Sequence, residues 1–310
     1  MASAMHFLVD GVCVCCLYQL TYPFSISHLV AIFMTYNILA FLTQPLTGWV
    51  ADRLRYRHWM LLASVLFLIS GVLVSGIIGS IASLKESWVA MIVVASLLGI
   101  GNSLFHVWGG KETVVKTSND IRALGVFVAT GAMGLTIGFL YYSWVLLLLL
   151  LFLMCLLAAA YTWIDTTPVD DRRRLAERPR QGWLLAALAL LLIMGVVMLR
   201  SFIGSVLSAG MMRGEVIALL VGAVAMMGKM AGGWMARWMG IVLSLAVMVV
   251  AVAVCLLLKT ASPVVPFLGL FAVNCTMPVT LYLANLVLPG REGLAFGLLA
   301  AALMPGYLLS

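Results

Sequence analysis

Between Val145 and Ala160 the chain runs without a charged residue and without alternation of polar and apolar positions. A stretch of that kind has no polar face to turn to water, so hydrocarbon or other apolar helices must surround it. Similar runs recur along the whole sequence. Of 310 residues, 64% are apolar and 9% charged, against about 25% charged in a soluble domain. A water-soluble fold of this size would lack a polar skin, and the bilayer is the expected solvent. Barrel strands would alternate over ~10 residues; these runs do not, which leaves helices.

A spanning helix takes ~20 apolar residues. Apolar runs divided by charged or turn-forming breaks predict spans at 4–22, 28–50, 59–81, 87–106, 122–140, 142–164, 183–206, 214–236, 240–258, 263–287 and 293–309, eleven in all. The first carries Asp10 and passes Tyr22 with no small-residue cleavage pattern behind it, so it reads as a span and not as a signal peptide. All six cysteines fall within apolar runs, without metal-ligand spacing or a disulfide framework, and are expected to pack as small apolar side chains. No metal site is expected.

The net charge of +7 is distributed by side and not in a patch. Breaks following the even-numbered spans hold 13 Lys and Arg, and the opposite breaks hold 3. The positive-inside rule then puts the N-terminus in the cytoplasm and, after eleven spans, the C-terminus outside. The same placement argues against a nucleic-acid partner. The longest polar break, Asp165–Gln181, has two prolines and dense charge, and reads as a cytoplasmic linker over 165–182. It would join an N-terminal bundle, 1–164, to a C-terminal bundle, 183–310. Two echoes support the division. Gly48-Trp-Val-Ala-Asp52-Arg53 ends the second span and Gly233-Trp-Met-Ala-Arg237 the eighth; Arg122-Ala-Leu-Gly-Val-Phe opens the fifth and Arg291-Glu-Gly-Leu-Ala-Phe the eleventh.

The segment Gly48-Trp-Val-Ala-Asp52-Arg53-Leu-Arg55-Tyr-Arg57 lies between the second and third spans. It resembles the signature loop of the major facilitator superfamily: a glycine, three residues, Asp-Arg and a basic cluster. Gly48 would let helix backbones approach closely, and Asp52 could pair with Arg57 or with a helix N-terminus. The resemblance implies two pseudo-symmetric six-helix halves rocking about a midplane site, here with the twelfth helix missing. It also implies that Gly48, Asp52, Arg53, Arg55 and Arg57 form a conformational-switch loop that stabilises the outward-open state. Met5-His-Phe-Leu-Val-Asp10-Gly11, Tyr36-Asn37 with Gln44-Pro45, Gly101-Asn102-Ser-Leu-Phe-His106 and Leu199-Arg200-Ser-Phe202 are similar to stretches of the fosmidomycin-resistance efflux group. That narrower likeness implies proton-coupled efflux, as an antiporter, across a bacterial inner membrane. A family arginine in span four is absent and the span-five glycine–proline motif is reduced to Gly131-Ala-Met-Gly134. These departures favour the alternative, a receptor or scaffold that keeps the fold without transport.

Ionisable residues at membrane depth cost at least ~2.5 kcal/mol and usually face a cavity or a partner. Arg200 is the expected anchor for an anionic group, since guanidinium binds carboxylate or phosphonate in bidentate fashion. Asp10 is the expected proton carrier; a structural tie to an arginine, or snorkelling to the nearby cytoplasmic face, is the other reading. His106, placed at the inner end of span four, would relay a proton or simply cap the helix. His6, His28 and His58 fall at span ends and are expected at the interface. Asn37, Gln44, Asn102 and Asn274 interrupt apolar spans, either as helix-to-helix glue or as donors into a cavity. Lys229 is placed to snorkel. No Ser/His/Asp set, HExxH, phosphate loop or CxxC is present, so an enzyme is not expected. The expected partners are a small-molecule substrate and lipid, around a monomer. No cofactor is expected beyond the proton gradient.

Overall fold

A computed structural model describes the chain except for residues 20–23, 55, 82–83, 85–86, 166–181, 210, 212–213 and 310. Arg55 and nearly all of the expected linker thus lie outside the described residues. Eleven helical rods follow one another: α1 (Ala2–Gln19), α2 (Ile26–Ala51), α3 (His58–Ser80), α4 (Trp88–Lys116), α5 (Ile121–Leu140), α6 (Trp144–Ile164), α7 (Trp183–Ala209), α8 (Glu215–Met239), α9 (Ile241–Leu257), α10 (Val265–Val287) and α11 (Glu292–Ala301, continuing as Leu303–Leu308). Among the described residues nine helices are long and apolar enough to cross a membrane, and α9 and α11 are shorter apolar helices. No strand occurs among the described residues. The chain is an all-α, multi-pass membrane protein.

Several helices begin where a short polar side chain replaces the missing intrahelical acceptor. Ser25, Ser87, Asp120 and Ser143 accept from the backbone N–H of His28, Ala90, Arg122 and Leu146. Within α2 a π-helical turn, Ile38–Leu42, separates Ile26–Asn37 from Gln44–Ala51. Pro45 has no N–H to continue the ladder, and the widened turn absorbs the gap. Helix α4 continues to Lys116, past the predicted end at residue 106. Lys111 and Glu112, each 2% exposed, have charged partners, so their charges do not end the helix.

The distribution of polarity inverts that of a soluble protein. Trp163, Val242 and Leu257 are more than 80% exposed, while Gln44, Asp52, Ser64, Ser75 and Asn102 are buried. Hydrocarbon outside and polar pairing inside is the arrangement that membrane burial requires. Helix α1 sits at the centre, packed on α4, α5 and α6. The first six helices meet the last five along two main seams, α5–α8 and α2–α11. Glycines set the seams. Gly125 and Gly233 face opposing backbone near one end of α5–α8, and Gly222 faces Thr136 near the other, so that seam runs the length of both helices. On α2–α11 the backbones of Gly48 and Gly293 touch: a Cβ on Gly293 would lie 2.7 Å from the Gly48 carbonyl oxygen. Alanine cannot be accommodated there without moving a helix.

Candidate functional site

Two groups of buried charge lie on this scaffold. The first is at the end carrying the α2–α3 loop, called the basic end below. Asp52, 1% exposed, follows the last turn of α2. Its Oδ1 accepts the Gly293 N–H at 2.8 Å and its Oδ2 the Leu294 N–H at 2.9 Å. These are orphan donors of the first turn of α11, so a carboxylate from one helix caps another from the other side of the seam. Lys111 of α4 approaches Oδ1 at 3.4 Å and donates to the Ala51 carbonyl at 2.9 Å. Burial pushes the Asp52 carboxyl above the usual range, against the opposing pull of Lys111 and the two N–H groups. Of the two partners left open by the sequence, the helix N-terminus is the one found. Arg57 instead reaches Glu112 at 3.2 Å. Glu112 also accepts from Tyr161 at 2.6 Å and from Lys116 at 2.8 Å. Arg53 lies over the Trp49 ring and donates to its carbonyl. Lys111, which falls in the break predicted after residue 106, is thus a buried member of this network, as is Glu112.

The second group is at mid-depth. His6 and Asp10, one turn apart on α1, share a face. Asp10 Oδ1 accepts from Asn102 Nδ2 at 3.0 Å, and Asp10 Oδ2 is 3.2 Å from His6 Nε2. His106 of α4 brings its Nε2 to 2.9 Å from His6 Nε2 and 3.6 Å from Asp10 Oδ1. Placing His106 at the end of a span is therefore corrected, because the longer α4 centres it. Placing His6 at the interface is corrected too: it is 5% exposed, with the Phe127 ring 4.7 Å away. Its i,i+4 spacing from Asp10 was the available signal. Gly131 leaves the space these groups fill, since a Cβ there would lie 2.5 Å from Asp10 Oδ2.

His6, Asp10, His106 and Gly131 line a cavity of about 120 Å³ that also receives Arg200 from α7 and Lys229 from α8. Lys229 thus faces a cavity and does not simply snorkel. A larger cavity of about 560 Å³ shares Asp10, Phe41, His106 and Leu135 as walls. It extends toward Tyr18, Phe33 and Phe139, away from the basic end, with Asn37 and Asn102 in its lining. Asn274 lines neither: its amide donates to the Leu270 carbonyl of its own helix, and it packs beside Gly228 at the α8–α10 contact. The ligand atoms of His6, Asp10 and His106 lie within 4.8 Å of one another, a spacing a metal ion would also accept. However, the same cavity holds two cationic side chains against one carboxylate. That field disfavours a bare divalent cation and favours an anion or a shared proton.

Residues 11–310 match the family model described as the Major Facilitator Superfamily. No curated protein matches the chain. Among solved structures, the fold is similar to the human organic anion transporter TETRAN, with TM-score 0.72 and 15% identity over 99% of this chain and 91% of that one. It is similar to the E. coli fucose:proton symporter, with TM-score 0.67 and 14% identity over 100% and 90%. A bacterial homologue of the iron transporter ferroportin, in an outward-facing state, gives TM-score 0.59 and 14% identity over 99% and 89%. At such identities the likeness is one of fold.

Proposed function

Because the chain belongs to the Major Facilitator Superfamily, we propose that it is a secondary active transporter of a small anion, working by alternating access and driven by the proton gradient. The observation that carries this reading is the mid-depth cavity, with Asp10 and His106 from α1 and α4 on one side and Arg200 and Lys229 from α7 and α8 on the other. A site built from both groups of helices is what rocking one against the other requires. In this reading Arg200 holds a carboxylate or phosphonate, Asp10 and His106 handle the proton, and the bundles 1–164 and 183–310 are the moving bodies. The contacts of Asp52 with α11 hold the basic end shut. The bias of Lys and Arg supports a cytoplasmic position for that end and for the N-terminus, and the likeness to fosmidomycin-resistance proteins supports a bacterial inner membrane. The four stretches similar to fosmidomycin-resistance proteins support efflux.

The charges of the cavity favour a second reading for the coupling. A proton taken up at the Asp10 and His106 side of the cavity makes it more positive and strengthens its attraction for an anion, so proton and anion bind together. Mutual support of that kind belongs to co-transport, and competition belongs to exchange. Purified protein separates the two: anion binding draws protons from a weakly buffered solution in co-transport and releases them in exchange.

The test of transport is a panel of carboxylates and phosphonates offered to proteoliposomes under a pH gradient. One or more should dissipate the gradient, and Arg200→Ala should abolish that movement while the helical signal and monodispersity persist. Unchanged movement removes Arg200 from the site. No movement of any compound, with no change in cellular resistance, points to a receptor or scaffold.

A further inference from the structure

The two imidazoles at mid-depth constrain each other's protons. His6 Nδ1 is 2.7 Å from the Phe127 carbonyl oxygen, and His106 Nδ1 is 3.0 Å from the Asn102 carbonyl oxygen. A carbonyl only accepts, so each ring carries its proton on Nδ1. In a neutral imidazole so arranged, Nε2 is a bare lone pair. Yet the two Nε2 atoms face each other at 2.9 Å. Two lone pairs at that separation repel; with one proton between them they make a short, charge-assisted hydrogen bond. The negative charge that balances such a cation is at hand, because Asp10 turns one oxygen to each ring, at 3.2 Å and 3.6 Å. Asn102 holds the carboxylate in that attitude.

We propose that His6 and His106 hold one proton in common between their Nε2 atoms, with Asp10 as counter-ion, and that this pair is where the coupling proton is loaded. The transport consequence rests on the proton-coupled reading given above; the sharing of the proton does not. The step is a simple balance. The pair gains one proton from the cavity and one positive charge, and on release Nε2–H breaks and both rings return to the neutral form. Other charged or titratable groups face the site: Cys13 on α1, Tyr36 on α2, Arg200 on α7 and Lys229 on α8. Helix α5 contributes only apolar side chains and Gly131 to the cavity wall. The two cations oppose the extra proton, and an anion lying between them cancels that opposition. Loading of proton and anion is therefore linked through the field of Arg200 and Lys229.

The chain has four histidines, which makes the test direct. Protein labelled with ¹⁵N-histidine, treated with chelator and placed in lipid nanodiscs, is read by NMR across pH 5–9. In the His28→Gln, His58→Gln background, two rings remain. The expected spectrum shows both Nδ1 atoms protonated and a through-hydrogen-bond coupling joining the two Nε2 atoms at neutral pH. Asp10→Asn should lose that coupling at neutral pH, and Lys229→Met should keep it to higher pH. Two neutral rings without coupling throughout the range overturn the proposal. So does a coupling-free spectrum that changes to metal-bound shifts when Zn²⁺ alone is added, which would make the cluster a metal site. For any anion that moves in the proteoliposome panel, His6→Gln should retain exchange of labelled for unlabelled anion and lose accumulation driven by the pH gradient. Coupled rings with no transport leave the shared proton standing and remove the transport reading. Proton-driven transport with uncoupled rings does the reverse.

Discussion

Asp52 and Asp10 are both carboxylates buried in a membrane protein, and the chain treats them in opposite ways. Asp52 is held by two backbone N–H groups and a lysine. A backbone N–H has no proton to exchange with the carboxylate, so those two bonds are made or broken by moving a helix. Asp10 is held by two imidazoles and an amide. Imidazoles are the side chains whose charge changes most readily near neutral pH, so this contact can change its chemistry while the helices stay in place. The comparison teaches how one chain can keep a mechanical latch and a chemical switch apart. Fixed partners make the first, titratable partners the second.

Removing the latch should have the largest effect. Asp52→Ala takes a carboxylate away from the buried Lys111 ammonium and uncaps α11. Breaking a buried charge pair from one side costs about 3–5 kcal/mol. Thermal unfolding should fall accordingly, and hydrogen exchange at the Gly293 and Leu294 amides should accelerate while that in α1 does not. Gly131→Ala attacks the other region. Its methyl group would press on His6 and Asp10, at an overpacking cost of about 1–3 kcal/mol. The Gly293 and Leu294 amides should keep their protection; if they lose it, the two regions are not separate. Asp120 provides the smallest effect and the control. It is also a carboxylate at a helix start, capping α5 through the Arg122 N–H, but it is solvent-accessible and bonds within its own turn. Asp120→Ala should cost about 1 kcal/mol, with no change at α11. The Arg122 side chain holds the Asp120 carboxyl below the usual range. Its contribution is therefore complete above the ordinary aspartate range and is lost as pH falls through that lowered value, which acid-limb unfolding curves would register. An effect as large as that of Asp52→Ala would mean that burial adds nothing to the latch.

Much of the architecture could be read from residues alone, because hydrocarbon imposes so few solutions. The eleven rods of the described residues and the end of α6 before Asp165 follow from where charge is absent. Where the sequence misleads about α4, the cause is that charge reads as a sign of water. Lys111 and Glu112 lie beyond the predicted end of the fourth span at residue 106, whereas ion pairing lets both stay buried inside a helix that runs on to Lys116. That shortened helix then put His106 at the membrane edge. His6 was misplaced by its nearness to the N-terminus, although its spacing from Asp10 placed both on one face. Asn274 shows the opposite limit. Periodicity does not say whether an amide turns to a cavity or back to its own backbone, and here it turns back.

The touching backbones of Gly48 and Gly293 have a further consequence. Contacts made through long side chains can stretch, because rotamers yield before the helices part. Where main chain meets main chain there is nothing to yield, and a slight parting lets go of the attraction and the two capping bonds together. Such a joint behaves as a snap fastener, closed or undone, with scarcely any half-open posture to linger in.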